Sequence, residues 1–166
     1  MDRVSQPFTI RFAKPEDVSL ILTFITKLAI YEKMLDDVIA TEQSLMVSLF
    51  DKKEAEVIIG EEHGVPVGFA LFFQSYSTFL GKSNLFLEDL FVNEEKRGKG
   101  YGKMLLSKLS NIAIKRNCSR LEWLCLNWNQ SSIDFYHKLG AKPLDDWTVF
   151  RLQGKDLKAL SMYENE

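Results

Sequence analysis

The amino-acid sequence predicts an α/β protein built as a three-layer α/β/α sandwich, with helices on both faces of a central sheet. Its 166 residues, 46% of them hydrophobic, suffice for a well-buried core. Strand-like runs and segments with helical spacing follow one another along the chain, which is typical of mixed α/β folds. No linker, repeat or low-complexity segment interrupts them, so residues 1–166 are expected to form a single domain.

The first half of the chain is predicted to contain four strands and two helices. A strand is expected at Phe8–Phe12. Pro15, followed by two acidic residues, marks the start of a helix that runs to about Glu32. Thr41 is the expected N-cap of a second helix, which continues to about Phe50. Strand-like runs then follow at residues 55–60, 67–74 and 84–92.

The second half is predicted to alternate helix and strand. Apolar residues recur at helical spacing from Leu105 to Ala113, directly after a glycine-rich loop, and predict a helix there. A strand is expected at residues 121–126, followed by a helix that Asn129 caps and Gly140 ends. A last strand at residues 148–152 is expected before a short C-terminal helix.

Composition argues against several classes of protein. A formal net charge of −2 is unfavourable for a nucleic-acid or anionic-membrane surface. Cys118 and Cys125 have no histidine at metal-ligand spacing, so neither a zinc site nor a disulfide framework is expected. No apolar stretch is long enough to span a bilayer, and the N-terminus lacks a signal-peptide pattern. A cytoplasmic protein that binds no nucleic acid, membrane or metal is therefore predicted.

The most informative motif is a basic, glycine-rich loop at residues 97–102, with the sequence RGKGYG. It joins a strand-like run to a helix, so backbone N–H groups and the positive helix end would converge on one point and could bind phosphate. The spacing differs from a P-loop, because Met104 follows Gly102-Lys103. It also differs from a dinucleotide fingerprint, because Lys103 or Leu105 stands where the third glycine is required. A plain turn between strand and helix is the alternative.

The loop and several further segments resemble the GNAT acetyltransferases. Its Arg-x-x-Gly-x-Gly pattern at residues 97–102 is similar to the acetyl-CoA pyrophosphate loop of that family. Residues 87–92, 128–136, 31–34 and 76–79 resemble the diamine branch, which includes the spermidine/spermine acetyltransferases and their thialysine-acetylating relatives. The similarity covers nearly the whole chain. It implies a mixed, largely antiparallel and splayed central sheet, acetyl-CoA as acetyl donor without a metal, and a homodimer.

The resemblance also implies roles for individual residues. Glu88 is expected to act as the base, through a water, and Tyr136 as the acid that protonates the departing thiolate. Contacts to the amine substrate are expected at Tyr31 and Glu32, together with Glu88. Further contacts to acetyl-CoA are expected at Leu90, Phe91, Val92, Arg97, Gly98, Lys99, Gly100, Tyr101, Gly102, Lys103, Asn129, Ser132 and Tyr136.

Glu88 and Asp89 are adjacent acids in a strand-like run. Regular alternation would direct their side chains to opposite faces, so that only one of them could face a given cleft. A carboxylate with an ordinary pKa is a poor base, so burial beside Phe86 and Phe91 is expected to raise the pKa of Glu88. A solvated strand acid or a lysine partner is the alternative for Glu88, and an amphipathic tyrosine with a hydrated hydroxyl is the alternative for Tyr136.

The expected reaction is direct attack of a small-molecule primary amine on the thioester. Polyamine-specific relatives carry aspartate and tryptophan where this chain has Ser77 and Phe79, which favours a shorter, thialysine-like amine over a polyamine. Two alternatives stay open. One is a GNAT enzyme acting on a protein or peptide amine, and the other is a non-catalytic acetyl-CoA-binding sensor.

Overall fold

A five-stranded sheet with the order β1-β2-β3-β4-β5 organises the first part of the chain. The computed structural model describes residues 7–165, which fall into two compact units whose boundary along the chain lies between residues 126 and 127. The strands are β1 (Phe8–Phe12), β2 (Glu56–Glu62), β3 (Val65–Ser77), β4 (Lys82–Val92) and β5 (Leu121–Trp123). The helices of this unit are α1 (Val18–Tyr31), α2 (Glu42–Leu45) and α3 (Tyr101–Lys115). The single domain expected over residues 1–166 stays a prediction.

The sheet is mixed and mostly antiparallel, as the resemblance implied. Strands β1 to β4 pair antiparallel in sequence order, and only β4 and β5 are parallel. The parallel pairing is short, because it ends at Leu87 opposite Trp123 while β4 continues to Val92. No described strand accompanies β4 on that side beyond Leu87, so the sheet opens there. This opening confirms the expected splay.

Helices cover both faces of the sheet, which confirms the three-layer arrangement. Phe24 of α1 stacks on Phe69 of β3 with ring centroids 5.3 Å apart, and both side chains are almost fully buried. Ile59 belongs to the same core. The next residue, Gly60, faces the other way, because a Cβ placed on it would lie 3.6 Å from Leu105 of α3. Each fully buried phenylalanine, leucine or isoleucine side chain of this core stabilises the fold by about 1.5–3 kcal/mol.

A β-bulge interrupts the pairing of β3 with β4. Leu71 lies opposite Asp89 and Phe72 lies opposite Leu87, which leaves Glu88 as the extra residue. The bulge breaks the two-residue alternation on which the expected separation of Glu88 and Asp89 depended. That expectation is therefore wrong at this point of the strand. Asp89 lies opposite Leu71, a residue of the core beneath α1.

The second unit contains two helices, α4 (Gln130–Lys138) and α5 (Gly154–Ser161). The strand expected at residues 148–152 is wrong, since these described residues form no strand. A strand needs a hydrogen-bonded neighbour and a packed face, whereas Val149 is 66% and Phe150 is 92% exposed.

Three helix and strand boundaries also differ from expectation. The first helix begins as a 3-10 turn over Pro15–Asp17 before the α-helix proper. The second helix changes to π-helical winding at Met46–Asp51, although Thr41 caps it as expected by accepting the Ser44 N–H at 3.1 Å. Strand β5 ends at Trp123 instead of residue 126, which is how it leaves β4 open.

Candidate active site

The β-bulge reverses which residues of β4 point their backbone groups toward β5. Before the bulge, the N–H of Leu85 donates to the carbonyl of Arg120, next to β5, at 2.9 Å. Beyond it, the N–H of Asn93 donates to the carbonyl of Val67 in β3 at 2.8 Å. The backbone groups of odd-numbered residues in β4 thus point toward β5 before Glu88 and toward β3 after it.

Leu90 and Val92 consequently present backbone N–H groups on the open side of β4. By the same alternation, the N–H of Phe91 points to β3, where Phe91 lies opposite Phe69. An N–H outside the ladder can donate to an oxyanion or to the amide groups of an extended ligand. Of the three strand residues expected to contact acetyl-CoA, two therefore have their N–H groups on the open side, while Phe91 packs its side chain into the core.

The glycine-rich loop has the backbone geometry of an anion-binding loop. Gly98 and Gly100 have φ angles of +77° and +85°, and Gly100 is the N-cap of α3. A Cβ on either glycine would meet no atom within 4 Å, so conformation rather than space requires glycine here. The first helical hydrogen bond runs from Met104 N–H to Gly100 carbonyl at 3.0 Å. The N–H groups of the three preceding residues, Tyr101, Gly102 and Lys103, have no acceptor inside the helix.

Arg97 connects the loop to the open edge of β4 and to α1. Its Nε donates to the carbonyl of Val92 at 3.0 Å. Its guanidinium lies 4.8 Å from the ring centroid of Tyr31 and 5.4 Å from that of Phe91. Cation–π contacts of this length stabilise by about 0.5–1 kcal/mol at partly exposed sites. The arginine thus links Tyr31, an expected substrate contact, to the expected acetyl-CoA loop.

Three carboxylates gather where β4 separates from β5. Glu32, the C-cap of α1, has a raised pKa because of burial and the nearby charge of Glu88. Burial, followed by the charges of Glu88 and Glu32, raises the pKa of Asp89 to about 7. Glu88 itself is exposed at the bulge. The burial expected of Glu88 therefore falls on Asp89, a residue that the sequence analysis assigned no role.

Cys125 belongs to the same neighbourhood. Burial, with the charge of Glu32 as a smaller contribution, raises the pKa of its thiol. A thiol with a raised pKa is protonated near neutral pH and is a poor nucleophile. Cys125 is therefore poorly suited to carry a covalent acetyl intermediate.

The hairpin that joins β3 to β4 contains Ser77 and Phe79, the two residues that favoured a thialysine-like amine over a polyamine. Ser77 is 9% exposed, and its hydroxyl accepts the N–H of Leu80 at 3.3 Å within the turn. Phe79 is 96% exposed at the tip. Ser77 thus stabilises the turn, whereas its expected importance concerned the choice of substrate.

Helix α4, in the second unit, carries the other expected site residues. Asn129 is 8% exposed and caps the helix by accepting the Ser132 N–H at 3.3 Å. Tyr136 is half-buried, with its ring 5.4 Å from that of Phe135. Asn129 and Tyr136 lie seven residues apart, so they share one face about 10 Å apart along the axis.

Among the described residues, no group of three or more His, Cys, Asp or Glu side chains is arranged to hold a metal ion. None of the described helices is long and apolar enough to cross a membrane.

The mixed sheet that opens beside the glycine-rich loop agrees with the fold that the resemblance to the GNAT acetyltransferases implied. Residues 27–141 match the acetyltransferase (GNAT) family model, which is more than half of the chain. The chain therefore belongs to the GNAT family and is an N-acetyltransferase.

Two named enzymes and one solved structure are similar to this chain over most of its length. The chain is 37% identical to a thialysine N-epsilon-acetyltransferase of Bos taurus, over 92% of this chain and 96% of that protein. It is 29% identical to an L-ornithine N5-acetyltransferase of Arabidopsis thaliana, over 91% and 86%. A solved structure, an integron cassette protein from V. cholerae, superposes with a TM-score of 0.80 at 27% identity, over 95% and 99%.

Proposed function

We propose that this enzyme transfers the acetyl group of acetyl-CoA to a primary amine of a small cationic molecule by direct attack on the thioester. The observation that carries the proposal is the cluster of Glu32, Glu88 and Asp89 where β4 leaves β5. A cationic amine relieves the mutual repulsion of such carboxylates. The similar proteins named for thialysine and ornithine acetylation support an amino acid with a side-chain amine as acceptor.

The donor fits the open edge and the loop. The N–H groups of Leu90 and Val92 would bind the pantetheine arm as an added strand would. The N–H groups at residues 98–103 would bind the pyrophosphate at the start of α3. In the second unit, Asn129, Ser132 and Tyr136 are the proposed contacts of α4 with the donor.

Replacing Gly100 with alanine is expected to weaken acetyl-CoA binding about tenfold. The φ of +85° costs an alanine roughly 1–2 kcal/mol, so the loop would leave the conformation that presents its N–H groups. Titration calorimetry with acetyl-CoA measures the change. Gly81→Ala is the matched control, because Gly81 also has a positive φ (+62°) and open space around it, in a different turn. Equal binding by the wild type and Gly100→Ala would contradict the assignment of the loop.

Asp89, with Glu32, is the proposed holder of the substrate ammonium. Asp89→Asn is expected to raise the KM for the amine about tenfold at pH 8 and to change kcat less. In the wild type, Asp89 becomes protonated below its pKa of about 7, so the KM should rise as the pH falls from 8 to 6. The asparagine variant should lack this rise. Initial rates at several pH values measure both effects, and an unchanged pH dependence in the variant would exclude this role.

Stability gives an independent check on the same carboxyl. The folded-state pKa of Asp89 lies above its ordinary value of 3.8, so its ionisation destabilises the folded protein as the pH rises through about 7. Asp89→Asn should therefore unfold at a higher temperature than the wild type at pH 8, and this advantage should shrink as the pH falls below 7 and disappear only below about 4.

The proposed chemistry moves two protons. The substrate ammonium first loses a proton to Glu88 through a water, and the neutral nitrogen then bonds to the thioester carbon; Glu88 afterwards releases that proton to water. The N–H groups of Leu90 and Val92 stabilise the oxyanion that forms. The carbon–sulfur bond then breaks as the hydroxyl of Tyr136 supplies a proton to the departing sulfur, and the second proton that the nitrogen loses restores the tyrosine hydroxyl.

We extend the proposal to a cytoplasmic homodimer. Apolar side chains between residues 144 and 152 are exposed in the single chain, among them Trp147 (77%) and Phe150 (92%). A second copy would remove such a surface from water. Sedimentation equilibrium should therefore return twice the chain mass of 19.1 kDa, and the mass of one chain would reject the dimer.

A screen of acceptors with acetyl-CoA tests the proposed substrate class. Thialysine and ornithine should be acetylated with a higher kcat/KM than spermidine, spermine or a peptide amine. Preference for the peptide would favour a protein acetyltransferase. Acetyl-CoA binding without turnover on any amine would favour a sensor.

A further inference from the structure

One carboxylate outside the proposed reaction centre contacts the glycine-rich loop from the neighbouring hairpin. Glu62 is the last residue of β2, and its side chain is only 12% exposed. It accepts hydrogen bonds from Lys96 Nζ, from Lys99 Nζ at 2.8 Å and from the Tyr101 hydroxyl at 2.5 Å. No sequence motif indicated a role for this residue.

The three donors lie on both sides of the two positive-φ glycines. Lys96 precedes the loop, Lys99 lies between Gly98 and Gly100, and Tyr101 begins α3. A single carboxylate therefore ties the beginning, the middle and the end of the loop to the end of β2.

Tyr101 makes this attachment rigid. Its ring stacks on Phe8 of β1 with centroids 4.1 Å apart and an angle of 8° between the planes. The tyrosine is 8% exposed, so its hydroxyl can reach little besides Glu62. The Lys99 ammonium also lies 5.9 Å from the same ring centroid.

The charges of Glu62, Lys96 and Lys99 keep the loop attached to β2 near neutral pH. Hydrogen bonds from Lys96, Lys99 and Tyr101 lower the pKa of Glu62 to about 2. Glu62 stays ionised at any pH above that value. Two lysine charges and one carboxylate leave a net charge of +1 beside the loop.

We propose that Glu62 is a positioning residue that holds residues 96–101 in the conformation that binds the pyrophosphate of acetyl-CoA. The inference rests on the proposed function of the loop. Glycine-containing loops lose much conformational freedom when they become ordered, so a loop already held in its binding conformation binds more tightly. The loop lysines act through Glu62 in this account, and the backbone N–H groups contact the phosphates.

Glu62→Gln separates this role from simple electrostatics, because the two accounts predict opposite signs. Removal of a negative charge near a phosphate site should strengthen acetyl-CoA binding if charge alone mattered. Loss of the attachment should instead raise the Kd for acetyl-CoA about tenfold, with kcat unchanged at saturation. Glu62→Asp keeps the charge but shortens the reach, so it should also weaken binding, whereas charge alone predicts no change.

Glu61→Gln is the matched control. Glu61 is the neighbouring carboxylate on β2 and pairs with Arg11 at 2.7 Å instead of the loop. It should leave the Kd for acetyl-CoA within about twofold of the wild type. A Kd for Glu62→Gln that equals or falls below the wild-type value would overturn the proposal.

Amide hydrogen exchange of the ligand-free protein tests the same inference without acetyl-CoA. Glu62→Gln should speed the exchange of peptides that cover residues 96–103, and Glu61→Gln should not. Equal exchange in the wild type and Glu62→Gln would overturn the inference about Glu62. Failure of the wild type to bind acetyl-CoA would instead reject the proposed function of the loop.

Discussion

Replacing Tyr136 with phenylalanine is expected to lower kcat about 100-fold while the Kd for acetyl-CoA stays near the wild-type value. The change removes one oxygen from a half-buried side chain on α4 and leaves its ring in contact with Phe135. General acid catalysis contributes roughly 100- to 10,000-fold to such transfers, because a thiolate leaves more readily when it is protonated. Steady-state kinetics and calorimetric titration measure the two quantities separately.

Tyr163→Phe provides the control for this experiment. Tyr163 lies in the same unit near the C-terminus and is 73% exposed. The same loss of a hydroxyl there should leave kcat and the Kd unchanged. Wild-type turnover by Tyr136→Phe at every pH would remove the tyrosine from the mechanism.

The second large effect is expected for Glu88→Gln, which should lower kcat about 100-fold near neutral pH. The loss should grow as the pH falls, because a larger share of the amine is then an ammonium that must give up a proton. Rates from pH 6 to pH 10 measure it. A glutamine keeps the size of the side chain at the bulge but cannot accept the proton.

Glu122→Gln removes a carboxylate from the neighbouring strand β5, where Glu122 pairs with Arg120 at 3.6 Å. It should show no such pH-dependent loss. Wild-type rates for Glu88→Gln at low pH would mean that another group deprotonates the amine, and Asp89 would be the first to test.

The Glu88 and Asp89 variants together separate proton transfer from substrate binding. The exposed Glu88 should affect mainly kcat, whereas Asp89, with its pKa raised to about 7, should affect mainly the KM for the amine. If both substitutions changed kcat alone, the two carboxylates would act in one proton-transfer step.

Local sequence rules predicted the elements that depend on neighbouring residues. Thr41 and Asn129 cap the helices they were expected to cap, and the glycine-rich loop ends at the start of α3. The glycine-rich loop could be predicted because its glycines and the helix that follows them are contiguous in the sequence. The opening between β4 and β5 was predicted only from the family resemblance, because no local residue pattern indicates it.

The features that depend on distant residues were missed. The bulge at Glu88 arises from the register of β3 against β4, and it changes which groups Leu90 and Val92 present to the opening. Burial in the folded chain, followed by the charges of Glu88 and of Glu32 more than fifty residues away in the sequence, raises the pKa of Asp89. The contact of Glu62 with the loop likewise joins residues more than thirty positions apart.

The failed strand at residues 148–152 has a different cause. Thr148, Val149 and Phe150 are residue types that strands favour, but this preference does not supply a partner strand. Local preference was therefore insufficient for this segment.

The most direct test of the account follows the acetyl group itself. Acetyl-CoA labelled in the acetyl group is mixed with the wild-type protein, with and without thialysine, and both protein and small molecules are analysed by mass spectrometry. Direct transfer predicts that the label appears only on the amine, in amounts equal to the free CoA, and that the protein mass does not change. Label on the protein, at Cys125 or elsewhere, or intact acetyl-CoA with every amine tested, would contradict the account.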